Sequence, residues 1–237
     1  MKVMTLFKMI VKEFKKDIFI SIILFALVDF LYVNFTGVLL NEESSSILWQ
    51  GGNDIYFFGF STLLLKLLNV SIVFITIGKI VDKLSSDIMI YILSRISDYK
   101  KFIYAYSAVV IILGEILLTI SHIVYYCFAG FYLEQAASSL FYLAMDDFGF
   151  LGIMILYIIL NDCYSAENSF MYIIVVYILN TILPIPILPA MSTVRFLVLR
   201  SRIGSVLILL LIVGMDLSIA ICYGALIRKR RVNICWK

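Results

Sequence analysis

This chain has few charged residues and few prolines for its length. Only 15% of its 237 residues are Asp, Glu, Lys or Arg, whereas 63% are hydrophobic, and its mean hydropathy is +1.05. A soluble domain of this size could not hide so much apolar surface from water, which excludes a soluble globular protein. The three prolines all lie between 184 and 189, where they end a predicted helix.

The sequence also lacks the patterns of common enzyme and metal sites. Its four cysteines show no CxxC spacing, and its single histidine forms no cluster and supports no Ser-His-acid triad. A phosphate-binding loop requires GxxxxGK[ST], and the nearest candidate, Gly78-Lys79, is followed by Ile80. Its aromatic residues are typical of membrane spans rather than of a base-stacking surface. We therefore expect no enzymatic activity, no cofactor bound by this chain and no nucleic-acid partner.

Six apolar stretches predict six membrane-spanning helices. A helix needs about 20 apolar residues to cross a hydrocarbon core of about 30 Å. The predicted spans are 18–40, 55–78, 103–128, 146–163, 169–189 and 204–227. The fourth is the weakest, because only 148–160 is apolar without interruption. The first is too long for the core of a cleavable signal peptide, so we expect it to be retained. The predicted fold is an all-α membrane protein, with 1–237 as a single transmembrane domain.

Residues 2–16 predict an amphipathic interface helix ahead of the first span. Apolar residues recur there at helical spacing, and lysines fall largely between them. Such a helix is suited to lying flat on an anionic leaflet surface; a solvated N-terminal helix is the alternative. The apolar residues are Val3, Leu6, Phe7, Ile10, Val11 and Phe14, and the lysines are Lys2, Lys8, Lys12, Lys15 and Lys16.

The distribution of Lys and Arg predicts the orientation, because basic flanks stay cytoplasmic. With six spans, the basic N-terminus, the basic segment between spans 2 and 3 and the basic tail would all be cytoplasmic. The outer side would hold only Arg195, Arg200 and Arg202. If 148–160 did not cross, the asymmetry would be smaller. We therefore expect a multi-pass protein of a bacterial-type plasma membrane, with both termini in the cytoplasm.

The cytoplasmic segment between spans 2 and 3 predicts a second amphipathic helix. Its apolar residues are three or four apart and would form one face, opposite a face of Ser, Asp and Lys. A helix of this kind can rest on the membrane or dock into a groove on a soluble partner. The apolar residues are Leu84, Ile88, Tyr91, Ile92, Ile96 and Tyr99.

This segment resembles the coupling helix of the membrane-spanning subunits (permeases) of type-2 ABC exporters. In that family an acidic residue opens a helix after span 2, and a Leu-Ser-Arg-type turn, a Ser and a basic pair lead into span 3. The usual proline after the arginine is replaced here by Ile96, and the usual Glu by Asp87. The resemblance implies coupling to an ATPase through Asp87, Tyr91, Leu93, Ser94, Arg95, Ser97, Lys100 and Lys101.

The resemblance also implies partners and a function. Two permease copies, as a homodimer or heterodimer, would enclose a path within membrane lipid, and cytoplasmic ABC ATPase subunits would bind ATP and Mg. The expected function is export of a peptide, antimicrobial or other amphiphilic substrate, or self-immunity. Two alternatives stay open: a cation-coupled secondary transporter and a non-transporting membrane accessory protein.

Five ionisable residues inside the predicted spans form a candidate polar cluster: Asp29, Lys66, Glu115, His122 and Asp216. All except His122 would lie near the midplane, where a charge costs at least ~2.5–3.5 kcal/mol on insertion scales. Each should therefore face the bundle interior and find a partner, and we predict that Lys66 pairs with Glu115. A structural ion pair, a polar lining of the substrate path and a proton or cation relay are the three interpretations of the cluster.

Overall fold

The computed structural model describes residues 3–36, 58–83, 99–129, 150–161, 164–182, 210, 214 and 217–222. At 3, 36, 58–63, 99–103, 166, 177 and 179–182 it describes the backbone alone. The regular structure of this part of the chain is entirely helical, as the sequence predicts. The helices are α1 (Val3–Glu13), α2 (Lys15–Thr36), α3 (Phe58–Lys83), α4 (Tyr99–Ala129), α5 (Phe150–Asn161) and α6 (Ala166–Ile182).

Three of these helices are long and apolar enough to cross a membrane. The qualifying stretches are Lys15–Phe35, Leu64–Lys83 and Tyr104–Ala129, in α2, α3 and α4. They overlap predicted spans 1 to 3, so the chain is a membrane protein by the length and composition of these helices. Helix α5 would be about 18 Å long at ~1.5 Å per residue, shorter than the ~30 Å core. Six crossings therefore stay a prediction, and most of 204–227 lies outside the described residues.

The helix bounds differ from the predicted spans mainly at one end of the bundle. Helix α3 continues to Lys83 instead of ending at 78, and α4 begins at Tyr99 instead of 103. Hydropathy marks only the apolar part of a helix. The backbone hydrogen bonds of α3 and α4 extend beyond that part into segments with polar side chains, so hydropathy does not find these ends. The predicted basic pair Lys100-Lys101 consequently lies in the first turn of α4.

The helix predicted over residues 2–16 is present as α1, which is joined directly to α2 by a bend at Phe14. The Phe14 amide donates to the Ile10 carbonyl at 2.9 Å, and the Ile18 amide donates to the Phe14 carbonyl at 3.0 Å. Backbone hydrogen bonding therefore continues from α1 into α2, which limits the freedom of α1 to lie away from the bundle.

Helices α1 and α2 each bury a narrow stripe in which residues recur every four positions. The first stripe consists of Leu6 and Ile10 on α1 and Phe14 at the bend after it, all at most 3% exposed. This apolar face contacts protein, chiefly α4, rather than being left for lipid. On α2 only 22% of the membrane-length window is buried. The α2 stripe is Ser21, Phe25, Asp29 and Val33.

The core of the bundle lies around α3 and α4. Helix α3 packs against α2, α4 and α6, and its Phe74 ring lies 5.0 Å from the ring of Tyr157 in α5. A glycine permits a close approach of α4 and α5, because a Cβ at Gly114 would lie 2.6 Å from Met154 Cε. A larger apolar cluster spans α1 to α6, and a smaller one consists of Val33, Leu65, Tyr125 and Ala129.

Candidate functional site

Three polar pairs join α2 to α3 along a single line of contact. As the partner on α2 moves forward along the chain, the partner on α3 moves backward, which is the pattern of two antiparallel helices. One pair is partly solvated, and the other two are buried in the bundle. The pairs are Asp17–Lys79 (3.6 Å), Ser21–Thr76 (2.6 Å) and Asp29–Asn69 (3.0 Å).

The first pair belongs to a charged region that we call the rim, formed by Glu13, Phe14, Asp17, Lys79 and Lys83. Lys83 Nζ lies 2.7 Å from Glu13 Oε1 and 5.3 Å from the centroid of the Phe14 ring. The hydrogen bond and the charge of Lys83 lower the pKa of the Glu13 carboxyl. The side chains of both ion pairs are partly or largely exposed, so solvent and salt weaken their attraction.

The second pair links two hydroxyl groups in the bundle interior. Each hydroxyl also lies within hydrogen-bond distance of a carbonyl one turn earlier, Asp17 for Ser21 and Ile72 for Thr76. Two hydroxyls carry two hydrogens, so one donates across to the other helix and the acceptor donates to its own backbone. Both polar groups are therefore satisfied without water.

The third pair, Asp29 with Asn69, lies furthest from the rim and is the centre of the candidate site. Asp29 is 0% exposed and Asn69 is 8% exposed. Asn69 Nδ2 donates to Asp29 Oδ1 at 3.0 Å. Within the described part of the chain, neither the second carboxylate oxygen, Asp29 Oδ2, nor the amide oxygen, Asn69 Oδ1, has a hydrogen-bond partner. A buried acid and a buried amide are thus each only half satisfied.

Helix α4 contributes two further groups to the surroundings of this pair. His122 is 7% exposed and interacts electrostatically with Asp29. Tyr125 is 1% exposed, and its hydroxyl also interacts electrostatically with Asp29. The ring of Tyr125 packs against that of Tyr32 from α2, with centroids 6.4 Å apart. Asp29 is therefore bonded to an amide of α3 and interacts electrostatically with an imidazole and a phenol of α4.

The site also separates the two apolar clusters. Along α2, Asp29 lies one turn after Phe25 of the larger cluster and one turn before Val33 of the smaller one. Along α3, Asn69 lies between Val73 of the larger cluster and Leu65 of the smaller. Apolar side chains consequently close the pair off from both ends, which restricts water and strengthens every polar interaction there.

Two of the five predicted cluster residues, Asp29 and His122, are brought together. Lys66 and Glu115 are both half-buried; each takes part in an interaction, and their mutual pairing stays a prediction. Asp216 lies outside the described residues. So does the predicted coupling segment from Asp87 to Ser97, and Lys100 and Lys101 are described as backbone only.

Sequence reasoning missed Asn69, the direct partner of Asp29. The available signal was an amide three residues beyond Lys66 in an otherwise apolar helix, because helical positions three apart lie on neighbouring parts of one face. Ser21 and Thr76 were missed for another reason. A hydroxyl in a membrane helix ordinarily bonds to its own backbone, so the sequence carries no sign of a cross-helix contact.

Within the residues that the structure describes, no group of three or more His, Cys, Asp or Glu side chains could hold a metal ion. The polar groups that the structure gathers here are Asp29 and Asn69, joined by a hydrogen bond, and His122 and Tyr125, which interact electrostatically with Asp29. No protein-family model, curated protein or solved structure matches this chain.

Proposed function

We propose that this chain is the membrane-spanning subunit of an ATP-driven ABC exporter in a bacterial plasma membrane. It would move a peptide, antimicrobial or other amphiphilic substrate out of the cell, for export or for self-immunity. The resemblance of 84–101 to a coupling helix supports this function. The observation that carries it furthest is the position of α1, whose buried face packs against α4 while Glu13 binds Lys83 at the end of α3.

The packing of α1 supports a mechanism for transmitting force. Residues 84–98 connect the end of α3 to the start of α4. A partner that pushed on this segment would move both helices, and α1 would follow because it packs against α4 and its Glu13 binds Lys83 of α3. The Asp17–Lys79 contact would pass the motion to α2. In the proposed cycle, this movement changes the cavity from inward-facing to outward-facing.

The proposal requires partners that this chain does not contain. Two permease copies, as a homodimer or heterodimer, would form the path, and cytoplasmic ATPase subunits would bind ATP and Mg. Both termini would be cytoplasmic. Apolar side chains that point outward from the membrane-length helices, such as Phe19 and Leu27, would contact lipid.

The test is capture of the ATP-binding-cassette protein that the proposal expects to be encoded beside this chain. Affinity-tagged full-length chain should retain that ATPase in mild detergent. Scrambling 87–98 should abolish its capture, whereas scrambling 131–142, a loop predicted to face outward, should leave it unchanged. Capture that survives the first scramble would contradict the coupling assignment, and absence of any such ATPase would contradict the exporter.

A second candidate function, a cation-coupled secondary transporter, is favoured by one observation. Asp29 is a fully buried acid in a membrane-length helix, with His122 beside it, and acids in such positions are typical of proton or ion pathways. The two functions differ in their energy source. An export or immunity phenotype that persists after the partner's ATP hydrolysis is inactivated would support the secondary transporter and contradict the ABC exporter.

A further inference from the structure

The acid–amide pair of Asp29 and Asn69 lacks one hydrogen-bond donor. Asp29 Oδ1 already accepts the Asn69 amide, and the two atoms left over, Asp29 Oδ2 and Asn69 Oδ1, are both oxygens. Two acceptors cannot satisfy each other. In a site shielded from water, each unsatisfied acceptor costs about 1–3 kcal/mol, and an ionised carboxylate without full hydrogen bonding costs more.

A single added proton supplies the missing donor without any other covalent change. Placed on Asp29 Oδ2, it makes that oxygen a donor whose natural acceptor is Asn69 Oδ1. The acid and the amide would then form two parallel hydrogen bonds, with Asn69 Nδ2 donating to Asp29 Oδ1 in the opposite direction. The same proton removes the negative charge from the bundle interior, where charge is most costly.

We propose that Asp29 and Asn69 form a proton-binding site that holds α2 against α3 when it is occupied. The proton comes from bulk water and is carried on Asp29 Oδ2, and no other bond is made or broken. Separation of α2 from α3 would expose the carboxyl to water and release the proton. The site would thereby link the contact between these helices to pH. This inference stands without the exporter function, since it uses only the geometry of the pair.

Other titratable groups surround the pair and must be kept separate from it. On α4, His122 and Tyr125 interact electrostatically with Asp29, and Glu115 lies two turns before His122. On α3, Lys66 lies one turn before Asn69. A cationic His122 or Lys66 would favour the ionised acid and oppose proton binding. All four groups remain in an Asp29→Asn variant, so a difference between that variant and the wild type reports Asp29 itself.

Infrared spectroscopy of the full-length chain in lipid provides the direct test. A protonated carboxyl has a C=O band that a carboxylate lacks. At neutral pH we expect such a band in the wild type, its loss in Asp29→Asn, and its persistence in Asp17→Asn, which removes a partly exposed acid from the same helix. In Asn69→Leu the band should move to higher frequency, because the acid loses its amide partner.

Thermal unfolding gives a second readout with a defined sign. The folded chain would hold a proton that the unfolded chain releases at neutral pH, so the proton stabilises the fold at low pH and its contribution is lost as pH rises. The unfolding temperature of the wild type, measured relative to Asp29→Asn, should therefore be highest below the ordinary pKa of aspartate and should fall as pH is raised above it.

The outcomes separate the proposal from its rivals. A wild type without a carboxylic acid band, or with a band that Asp29→Asn leaves intact, would overturn the proposal and indicate an ionised Asp29 hydrated by a trapped water molecule. Failure of Asp29→Asn to fold would also overturn it. The asparagine amide reproduces both hydrogen bonds of the protonated acid, so the proposal requires that this variant fold as well as the wild type.

Discussion

The rim and the acid–amide pair hold helices to α3 by opposite means: the rim joins both α1 and α2 to α3, and the pair joins α2 to α3. At the rim, Glu13, Asp17, Lys79 and Lys83 form ion pairs that are open to solvent. About three turns further along α2, Asp29 meets Asn69 with almost no exposure. The rim tolerates imperfect geometry because water supplies whatever hydrogen bonds are missing. The buried pair has no such supply, so its protonation and its contacts must be correct within the protein.

This difference shows where the stability of each region resides. Exposed ion pairs contribute little, since solvent screens their attraction and ordering long side chains costs entropy. The rim is therefore held chiefly by the apolar anchor beneath it, namely Leu6, Ile10 and Phe14. The buried pair is held by hydrogen bonds, and its loss leaves a polar group stranded in an apolar interior.

Removing the apolar anchor should have the largest effect. Ile10→Ala deletes buried atoms and leaves a cavity under the rim, and such changes typically cost about 2–5 kcal/mol. The free energy of unfolding should fall by that order in detergent titrations. Met9→Ala, at an exposed neighbouring position, should change it little. Equal effects of the two variants would mean that α1 is held by its ion pair rather than by its buried face.

Breaking the buried pair should have the next largest effect. Asn69→Leu removes the amide that donates to Asp29 and leaves the acid without its observed partner. We expect a loss of about 1–3 kcal/mol, measured as a lower unfolding midpoint. The matched control is Asn34→Leu on α2, whose exposed amide donates to the Phe30 carbonyl one turn earlier in the same helix. An equal loss of unfolding free energy in the control would show that the Asp29–Asn69 hydrogen bond does not stabilise the fold more than an exposed amide does.

The sequence predicted the helices well because their signal is local. Long apolar runs predicted α2, α3 and α4, and the apolar residues at helical spacing between 3 and 14 predicted a helix with one apolar face, which includes Leu6, Ile10 and Phe14. What covers that face could not be predicted, because lipid and a neighbouring helix are both apolar and select the same side chains. The structure places protein there.

The candidate site was predicted only in part, for a related reason. The cost of charge in a membrane identified Asp29 and His122 as residues that face the interior. It did not identify their partners, because pairing depends on how far one helix is displaced along the next. A shift of one turn would bring a different α3 residue opposite Asp29. Hydropathy carries no information about that displacement, and Asn69 was missed on this account.

Separating the two hydroxyls should have an intermediate effect between the pair and the rim. Thr76→Val keeps the shape of the side chain and removes the contact with Ser21, for an expected loss of about 0.5–1.5 kcal/mol. Thr119→Val on α4 is the control, since Thr119 bonds to the Glu115 carbonyl in its own helix. In a double-mutant cycle, Ser21→Ala combined with Thr76→Val should be less harmful than the sum of the single changes. Strict additivity would contradict a cross-helix bond.

The smallest effect belongs to the ion pair at the rim, and its pH dependence identifies it. Lys83 lowers the pKa of Glu13, so the folded chain holds the Glu13 proton less tightly than the unfolded chain. The stabilisation is therefore present above the ordinary pKa of glutamate and is lost as pH falls through the lowered value.

Glu13→Gln should slightly reduce the unfolding temperature at neutral pH and low salt. The reduction should vanish in acid, where the wild-type carboxyl is itself neutral, and should shrink at high salt. Glu167→Gln, an exposed change on α6, should not reproduce this pattern. A deficit in Glu13→Gln that persisted unchanged in acid would mean that Glu13 stabilises the rim through packing, and the charged contact would then have no measurable part in joining α1 to α3.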